Sequence, residues 1–245
     1  MQPADPTQTI ALIQNITHQA INPLNGVIGT LDNLIDGTIK GERRDQRIKS
    51  ARAQLEYTVS LIRNLAYFAQ YGTSSTAEPK FKTTKVCVIP QLLIEAAQFF
   101  QEQAAHNDIR FEVKDRSNQT SVHGDPELMR QIFMNLFDNY AKYGESNSIV
   151  EIKHWIQKKT NCLIIEFSGE STPFSNEEDI FALGVRGKHA EEKTSAGSGL
   201  GLHICRLIIE RLFKGTISAN YVNSKRLAYF EIRIPHAFAT ERQNG

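Results

Sequence analysis

The sequence predicts a long helical hairpin followed by an α+β domain in which helices cover one face of a mixed sheet. Two observations support this prediction. Apolar residues recur at helical spacing in two long runs, at about residues 8–36 and 42–71. Beyond a polar linker, strand-like segments and amphipathic helices are mixed, and two strand-like segments come last. That order is typical of an α+β domain.

The first helix carries its apolar residues on one stripe when each residue advances about 100°. The stripe comprises Ile13, Thr17, Ile21, Leu24, Ile28, Leu31 and Ile35. Pro23 interrupts this run and lacks the N–H that would bond the carbonyl of Gln19. In a helix interior proline costs about 3 kcal/mol, so we expect a bend just after His18.

The second helix follows the turn "DGTIKGERRD" and has an equally wide apolar face. Its stripe comprises Ile48, Ala51, Leu55, Val59, Ile62 and Ala66, widened by Leu61, Leu65 and Phe68. One partner helix cannot cover either face. We therefore expect a homodimer through residues 8–71, in which two hairpins form a four-helix bundle.

The polar stretch "YGTSSTAEPKFKTTK" is typical of a linker and marks a domain boundary. The predicted division is residues 1–72, a linker at 73–84, and a second domain at 85–245. Strands are predicted at "VCVI", "IRFEVK", "SIVEIKHWI", "CLIIEFS", "TISANYV" and "LAYFEIRIP". Helices are predicted at about 90–105, in "DPELMRQIFMNLFDNYAKYG" and in "GLGLHICRLIIERLF", with a long loop at about 169–198.

The composition excludes few classes of protein, but it does bear on which binding partners to expect. The 245 residues include 28 basic and 27 acidic side chains, for a net charge of +1, which gives no support for nucleic-acid binding. No apolar run is long enough for a membrane segment, and the start lacks the pattern of a signal peptide. We expect a cytoplasmic chain, alone or as the cytoplasmic part of a larger sensor.

Three polar side chains share one face of the helix that contains "NLFDNYAKY". Asn135 and Asn139 are four residues apart, and Lys142 lies three residues beyond. Amide oxygens suit magnesium, and lysine suits phosphate. Taken alone, the pattern favours an amphipathic helix with its polar residues toward water.

Glycines alternate in "AGSGLGLHI", at Gly197, Gly199 and Gly201, just before an apolar helix. Glycine lets a phosphate approach the backbone, and a helix N-terminus favours negative charge. A long loop precedes these glycines, which argues against a dinucleotide-binding βαβ unit. Taken alone, the pattern also fits a flexible loop that ends in a helix.

His18 is expected to be exposed, because it projects about 120° away from the apolar direction of its helix. Neutral imidazole is a competent nucleophile near pH 7. Most histidines, however, are ordinary surface or core residues.

The order "HQAINPL", "DPELMRQIFMNLFDNYAKYG", "IFALGVRGK", "GSGLGLHICRLI" resembles the catalytic core of a sensor histidine kinase of bacterial two-component systems. The resemblance covers about residues 8–236. It implies an ATP-binding second domain, autophosphorylation of His18 with ATP and Mg²⁺, and transfer to an aspartate on the receiver domain of a response regulator.

The resemblance also implies roles for individual residues. Asn139 would coordinate magnesium with Asn135 nearby, and Lys142 and Tyr143 would face the nucleotide. Asn22 matches the position that orients water for dephosphorylation of the response regulator in many relatives. Arg186, Gly197, Gly199 and Gly201 would line the lid side of the phosphates. Gly169, Ser198 and Leu200 would also belong to the cofactor-binding site.

Two positions depart from the family pattern. Gln19 stands where an acidic residue usually accepts a proton from the imidazole, and general-base help is typically worth about 10²–10⁴-fold. Phe167 stands where an aspartate usually bonds the adenine amino group. Glu170 is near and could substitute for it. Ser171 replaces a glycine of the same family motif. Three functions stay open: a histidine kinase with unusual nucleotide recognition, a dimeric phosphotransfer module that no longer uses ATP, and a signalling scaffold.

Overall fold

The computed structural model describes residues 6–72, 84–105, 107–117, 119–185 and 199–239. The helices are α1 (Pro6–Ile35), α2 (Glu42–Tyr67), α3 (Ile89–Ala105), α4 (Pro126–Tyr143) and α5 (Gly201–Arg211). The strands are β1 (Lys85–Val88), β2 (Arg110–Val113), β3 (Thr120–Gly124), β4 (Ile149–Gln157), β5 (Cys162–Glu170), β6 (Thr216–Val222), β7 (Leu227–Ile234) and β8 (Phe238–Ala239). A π-helical turn (Phe68–Gly72) extends α2, and a 3₁₀ turn (Asn223–Lys225) joins β6 to β7.

Helices α1 and α2 form the predicted hairpin. Gly37 and Gly41 in the connecting turn have φ angles of 67° and 61°, in the left-handed region that glycine adopts without strain. The two helices approach closely at Gly26, where an added Cβ would lie 2.9 Å from Oε1 of Gln54. This contact sets the position of one helix relative to the other along their axes. Pro23 lies inside α1, which continues through it.

A five-stranded mixed sheet has the order β2-β4-β5-β7-β6, with β2 parallel to β4 and the other pairs antiparallel. A second sheet has the order β1-β3-β8. Helices α3, α4 and α5 form the other layer over the larger sheet. Helix α4 begins at a strong start signal, because the side chain of Asp125 accepts the N–H of Glu127 at 3.0 Å and Pro126 fills the first turn.

The predicted fold class, a helical hairpin before a two-layer α+β sandwich, is confirmed. Two details differ from the sequence prediction. Helix α2 is α-helical only to Tyr67 and continues as the π-helical turn, and strands β3 and β8 were not predicted. The division at 1–72, 73–84 and 85–245 stays a prediction, since residues 73–83 lie outside the described residues. None of the described helices is both long and apolar enough to cross a membrane.

The end of the hairpin opposite its turn, here called the lower end, packs onto the second domain. Ile16, Phe68 and Tyr71 belong to the same buried cluster as the sheet and its helices. The ring of Phe68 lies 6.0 Å from that of His203 in α5, and Arg211 donates to the carbonyl of Tyr71. The hairpin and the sandwich are therefore joined by a continuous apolar core.

Candidate functional site

An open cavity lies between α2, α4, the segment after β5 and the glycine turn before α5. Small-molecule sites are typically concave, with a few polar groups converging on an apolar lining. Its polar lining residues are Tyr57, Asn64, Asn135, Asp138, Asn139, Lys142, Tyr143, Ser171 and Thr172, and its other lining residues include Leu61, Tyr140, Phe174, Ile180, Gly199, Gly201 and Phe230.

Helix α4 brings the predicted polar residues to this cavity. Phe133, Leu136 and Phe137 on its other side are fully buried, which fixes the rotation of the helix. Asn135, Asn139 and Lys142 follow at steps of four and three residues, so they lie on the opposite stripe. The structure thus brings together three residues that the spacing placed on one face.

Lys142 is held in a buried pair. Its Nζ donates to Oδ2 of Asp138 at 2.6 Å and to the hydroxyl of Tyr57 at 3.3 Å, and it lies 4.7 Å from the centre of the Tyr57 ring. Burial alone would lower the pKa of Lys142, but Asp138 and Tyr57 outweigh it and raise the pKa above its usual value. The lysine is therefore charged at neutral pH.

Asn135 takes part in a cluster of amides that crosses from the hairpin to α4. It exchanges two hydrogen bonds with Asn64, at 2.9 and 3.1 Å. Nε2 of Gln131 donates to both Asn64 and Asn135, and to the hydroxyl of Ser60. Nδ2 of Asn135 also donates to the carbonyl of Gly201 at 3.1 Å, which ties the cluster to the first residue of α5.

Two polar atoms at the cavity wall are buried and have no hydrogen-bond partner among the described residues. They are Oδ1 of Asp138 and Nδ2 of Asn139. Buried polar groups are normally paired, so this wall is suited to a polar ligand. The free carboxylate oxygen of Asp138 is a hard ligand that suits a hydrated magnesium ion, and the amide N–H groups of Asn139 suit a phosphate beside Lys142.

The glycine turn packs closely against the end of the preceding segment. Gly199 has a φ of 66°, and an added Cβ would lie 2.7 Å from the carbonyl carbon of Gly184. At Gly201 an added Cβ would be 3.5 Å from the side chain of Asn135, so the backbone runs close to the polar wall. Arg186, Gly197 and Ser198 lie outside the described residues.

Two predicted lining residues are not at the cavity wall. Leu200 is fully buried and anchors the turn in the core. Gly169 lies in β5, where an added Cβ would be 2.9 Å from Cγ2 of Val150 and 3.2 Å from the ring of Tyr140. Its lack of a side chain lets Tyr140 pack over the strand. Neither is among the residues that line the cavity.

The deep end of the cavity is apolar, with Tyr140, Phe174, Ile180 and Phe230 in its wall. Phe167 is fully buried beneath it, and its ring centre lies 5.3 Å from that of Phe137. Glu170 does not line the cavity either. Among the described lining residues, Asp138 is the one carboxylate, and it is paired with Lys142.

His18 and Asn22 are exposed on α1 and do not line the cavity. The contact of Gly26 with Gln54 shows which part of α2 lies beside His18 along the hairpin axis. Eight residues before Gly26 is His18, and eight residues after Gln54 is Ile62; both are about 12 Å along their helices from this contact. His18 is therefore level with the part of α2 that forms the cavity wall.

Sequence reasoning missed the contribution of α2. Tyr57, Ser60 and Asn64 follow at steps of three and four residues, so they form a polar stripe within an apolar helix. That stripe was a readable signal for a buried polar contact. The position of its partner on α4 was not readable, because it depends on how the two domains dock.

Comparison with known proteins gives a consistent result. Residues 124–237 match the family model of the histidine kinase-, DNA gyrase B- and HSP90-like ATPases. The sensor protein KdpD of Clostridium acetobutylicum is 27% identical over 201 residues, which cover 81% of this chain and 22% of that protein. The chain thus spans about a fifth of the length of this curated relative.

Two solved structures share the fold. The Acinetobacter baumannii histidine kinase AdeS superposes with a TM-score of 0.56 at 19% identity, over 89% of this chain and 98% of that one. The histidine kinase ThkA in complex with the response regulator TrrA gives a TM-score of 0.53 at 19% identity, over 92% of this chain and 61% of that one.

Proposed function

Because this chain is a histidine kinase catalytic core, with an ATPase domain preceded by a helical hairpin, we propose that it phosphorylates its own His18 from ATP. The phosphoryl group then passes to an aspartate of a response regulator. The observation that carries the proposal is the single cavity that unites Asn139, Lys142 and the glycine turn at the start of α5.

Each part of the cavity has a role in this reaction. The charged Nζ of Lys142 and the N-terminus of α5 attract the phosphates. Asn139, with Asn135 nearby, would hold Mg²⁺, which supplies charge neutralisation on the triphosphate when bound. Tyr143 and the apolar deep end would take the nucleoside. Arg186, Gly197 and Ser198 are proposed to line the lid side of the phosphates.

His18 is the proposed nucleophile. An imidazole nitrogen attacks the γ-phosphorus in line, the bond to the bridging oxygen breaks, and ADP leaves with that electron pair. The proton on the other ring nitrogen passes to water, since Gln19 has no basic group at neutral pH. We therefore expect slow autophosphorylation. Asn22, one turn after His18 and also exposed, would orient water during dephosphorylation of the response regulator.

A second function has its own supporting observation. The deep end of the cavity has no free carboxylate among its described lining residues to read the adenine amino group. A chain that binds nucleotide poorly would act instead as a dimeric phosphotransfer module or signalling scaffold that keeps His18.

The proposed partners are a second copy of the chain and a receiver domain. The apolar faces of α1 and α2 are exposed, as at Ile28, 56%, and Ile62, 54%. ThkA is seen bound to the response regulator TrrA, which supports a similar partner here. The proposed location is the cytoplasm, with the chain alone or within a longer sensor.

The test is incubation of the full chain with γ-labelled ATP and Mg²⁺. We expect acid-labile label on the wild type and on a His123→Gln variant, which removes an exposed histidine of the second domain. His18→Gln should carry none. Equal label on His18→Gln would refute the assignment. ATP binding by calorimetry without any label on the wild type would favour the second function.

A further inference from the structure

The polar face of α2 lies against the very side chains that would hold the phosphates. Tyr57 contacts Lys142, and Asn64 contacts Asn135. Both of these α4 residues line the cavity together with their hairpin partners. The hairpin therefore contributes one wall of the cavity and also engages its functional groups.

Lys142 is bound on two sides by this arrangement. Its side chain is 12% exposed, with Asp138 on one side and the hydroxyl and ring of Tyr57 on the other. An ammonium group has three donors, and a phosphate needs one or more of them in an accessible direction. Asp138 and Tyr57 take two of the three donors of Lys142, so loss of the contact with Tyr57 would make a second donor available to a phosphate.

Asn135 is restrained in the same way. Its Oδ1 accepts from Asn64 at 2.9 Å and from Gln131 at 3.4 Å, so both lone pairs are used. Its Nδ2 is shared between Asn64 and the carbonyl of Gly201. Withdrawal of Asn64 would free one lone pair of the Asn135 oxygen for a cation.

The contacts of the hairpin with the second domain are of two kinds. The lower end, with Ile16, Phe68 and Tyr71, is apolar and part of the core. The contacts at Tyr57 and Asn64 are polar and can be exchanged for a ligand. The upper part of α2 can thus separate from α4 while the lower end stays docked.

We propose that Tyr57 and Asn64 are positioning residues that withhold Lys142 and Asn135 from the nucleotide while the hairpin is docked. This inference rests on the proposed function, since it assumes that the cavity takes a nucleoside triphosphate. Nucleotide binding and docking of α2 are then competing events. Release of α2 from α4 completes the phosphate site on α4.

The test measures Mg-ATP affinity of the full chain by calorimetry. Tyr57→Ala should bind about 3- to 10-fold more tightly than the wild type, because a desolvated cation–ring contact and a hydrogen bond no longer compete. Tyr57→Phe keeps the ring and should show a smaller gain. Arg52→Ala, on the exposed side of the same helix, is the matched control and should bind as the wild type.

A double-mutant cycle separates this inference from the proposed function. Lys142→Met alone should weaken binding, and in that background Tyr57→Ala should give no gain. If Lys142→Met binds like the wild type, the proposed function fails. If Lys142→Met weakens binding but Tyr57→Ala gives no gain in either background, the withholding role of Tyr57 fails.

Hydrogen exchange provides a readout independent of affinity. Addition of Mg-ATP should speed exchange of the amides in residues 57–64, since this segment leaves α4. Protection of the same segment, together with weaker binding by Tyr57→Ala, would mean that Tyr57 holds the nucleotide, and the inference would be overturned.

Discussion

Phe167 bears on which contacts the apolar end of the cavity can make with a nucleotide base. Its side chain is fully buried against Phe133 and Phe137 of α4 and does not line the cavity. A residue at this position therefore supports the core, and the base meets an apolar wall that offers stacking without a hydrogen bond from a free carboxylate. ATP and GTP should bind with similar affinity.

We expect Phe167→Asp to destabilise the fold rather than to create adenine recognition. Loss of a buried phenylalanine costs about 3–5 kcal/mol, and a buried carboxylate without a partner adds to this. Thermal unfolding should show a Tm lowered by many degrees, while Phe167→Leu should lose far less. Calorimetry with ATP and GTP completes the test: a folded Phe167→Asp variant with strong ATP preference would contradict this expectation.

The sequence was a good guide to residues that act through local spacing. Asn135, Asn139 and Lys142 could be placed on one face of a helix because α-helical geometry depends only on their separation. The partners of Lys142 and Asn135 could not be predicted, since Tyr57 and Asn64 reach them through docking of segments about 70 to 85 residues apart. The inward packing of Phe167 likewise depends on how α4 sits on the sheet.

At the scale of the elements, β3 joins the smaller sheet to the larger one through a buried pair. Nδ1 of His154 in β4 lies 2.8 Å from Oγ1 of Thr120 in β3, and His154 is 1% exposed. Burial lowers the pKa of His154 below its usual value of 6.5. Strand β3 had no strong alternating pattern, so its sequence did not reveal this junction.

This histidine should make the fold sensitive to acid. In the unfolded chain His154 takes up a proton as the pH falls through about 6.5, whereas the folded chain resists until its lower pKa is reached. The free energy of unfolding should therefore fall as the pH decreases below about 6.5. Denaturant titrations from pH 7.5 to 5 should show a shallower decline for His154→Gln, which keeps a partner for Thr120.

An equally steep decline in His154→Gln would assign the acid sensitivity to other groups. Within the part of the chain that the structure describes, His203 in α5 is the other buried histidine with a pKa lowered by burial, and its Nδ1 lies 3.0 Å from the carbonyl of Phe181. A His203→Gln variant measured in parallel separates the two contributions.

At the scale of the whole molecule, the exposed apolar faces of the hairpin are the basis for the proposed dimer of two copies of the chain. Large apolar side chains there are 41–82% exposed along α1. Isolated apolar residues are normal on a surface, but a continuous stripe along two helices indicates an interface. The predicted extent of that interface is residues 8–71.

Light scattering at micromolar concentration should give the mass of a dimer, about twice 27.6 kDa. Ile28→Arg should shift the chain toward the monomer, since it places a charge in the apolar stripe. Asn33→Arg adds the same charge about 140° around the helix and should leave the mass unchanged. A monomeric wild type would exclude the four-helix bundle.

The shared core of the hairpin and the sandwich has a consequence for how the molecule melts. Ile16, Phe68 and Tyr71 are packed into the cluster that also contains the strands of the larger sheet. Loss of the sandwich would expose these side chains, and loss of the hairpin would leave α5 without its cover. The lower hairpin and the sandwich therefore form one cooperative unit, and fraying should begin at the tip of the hairpin, far from this shared core.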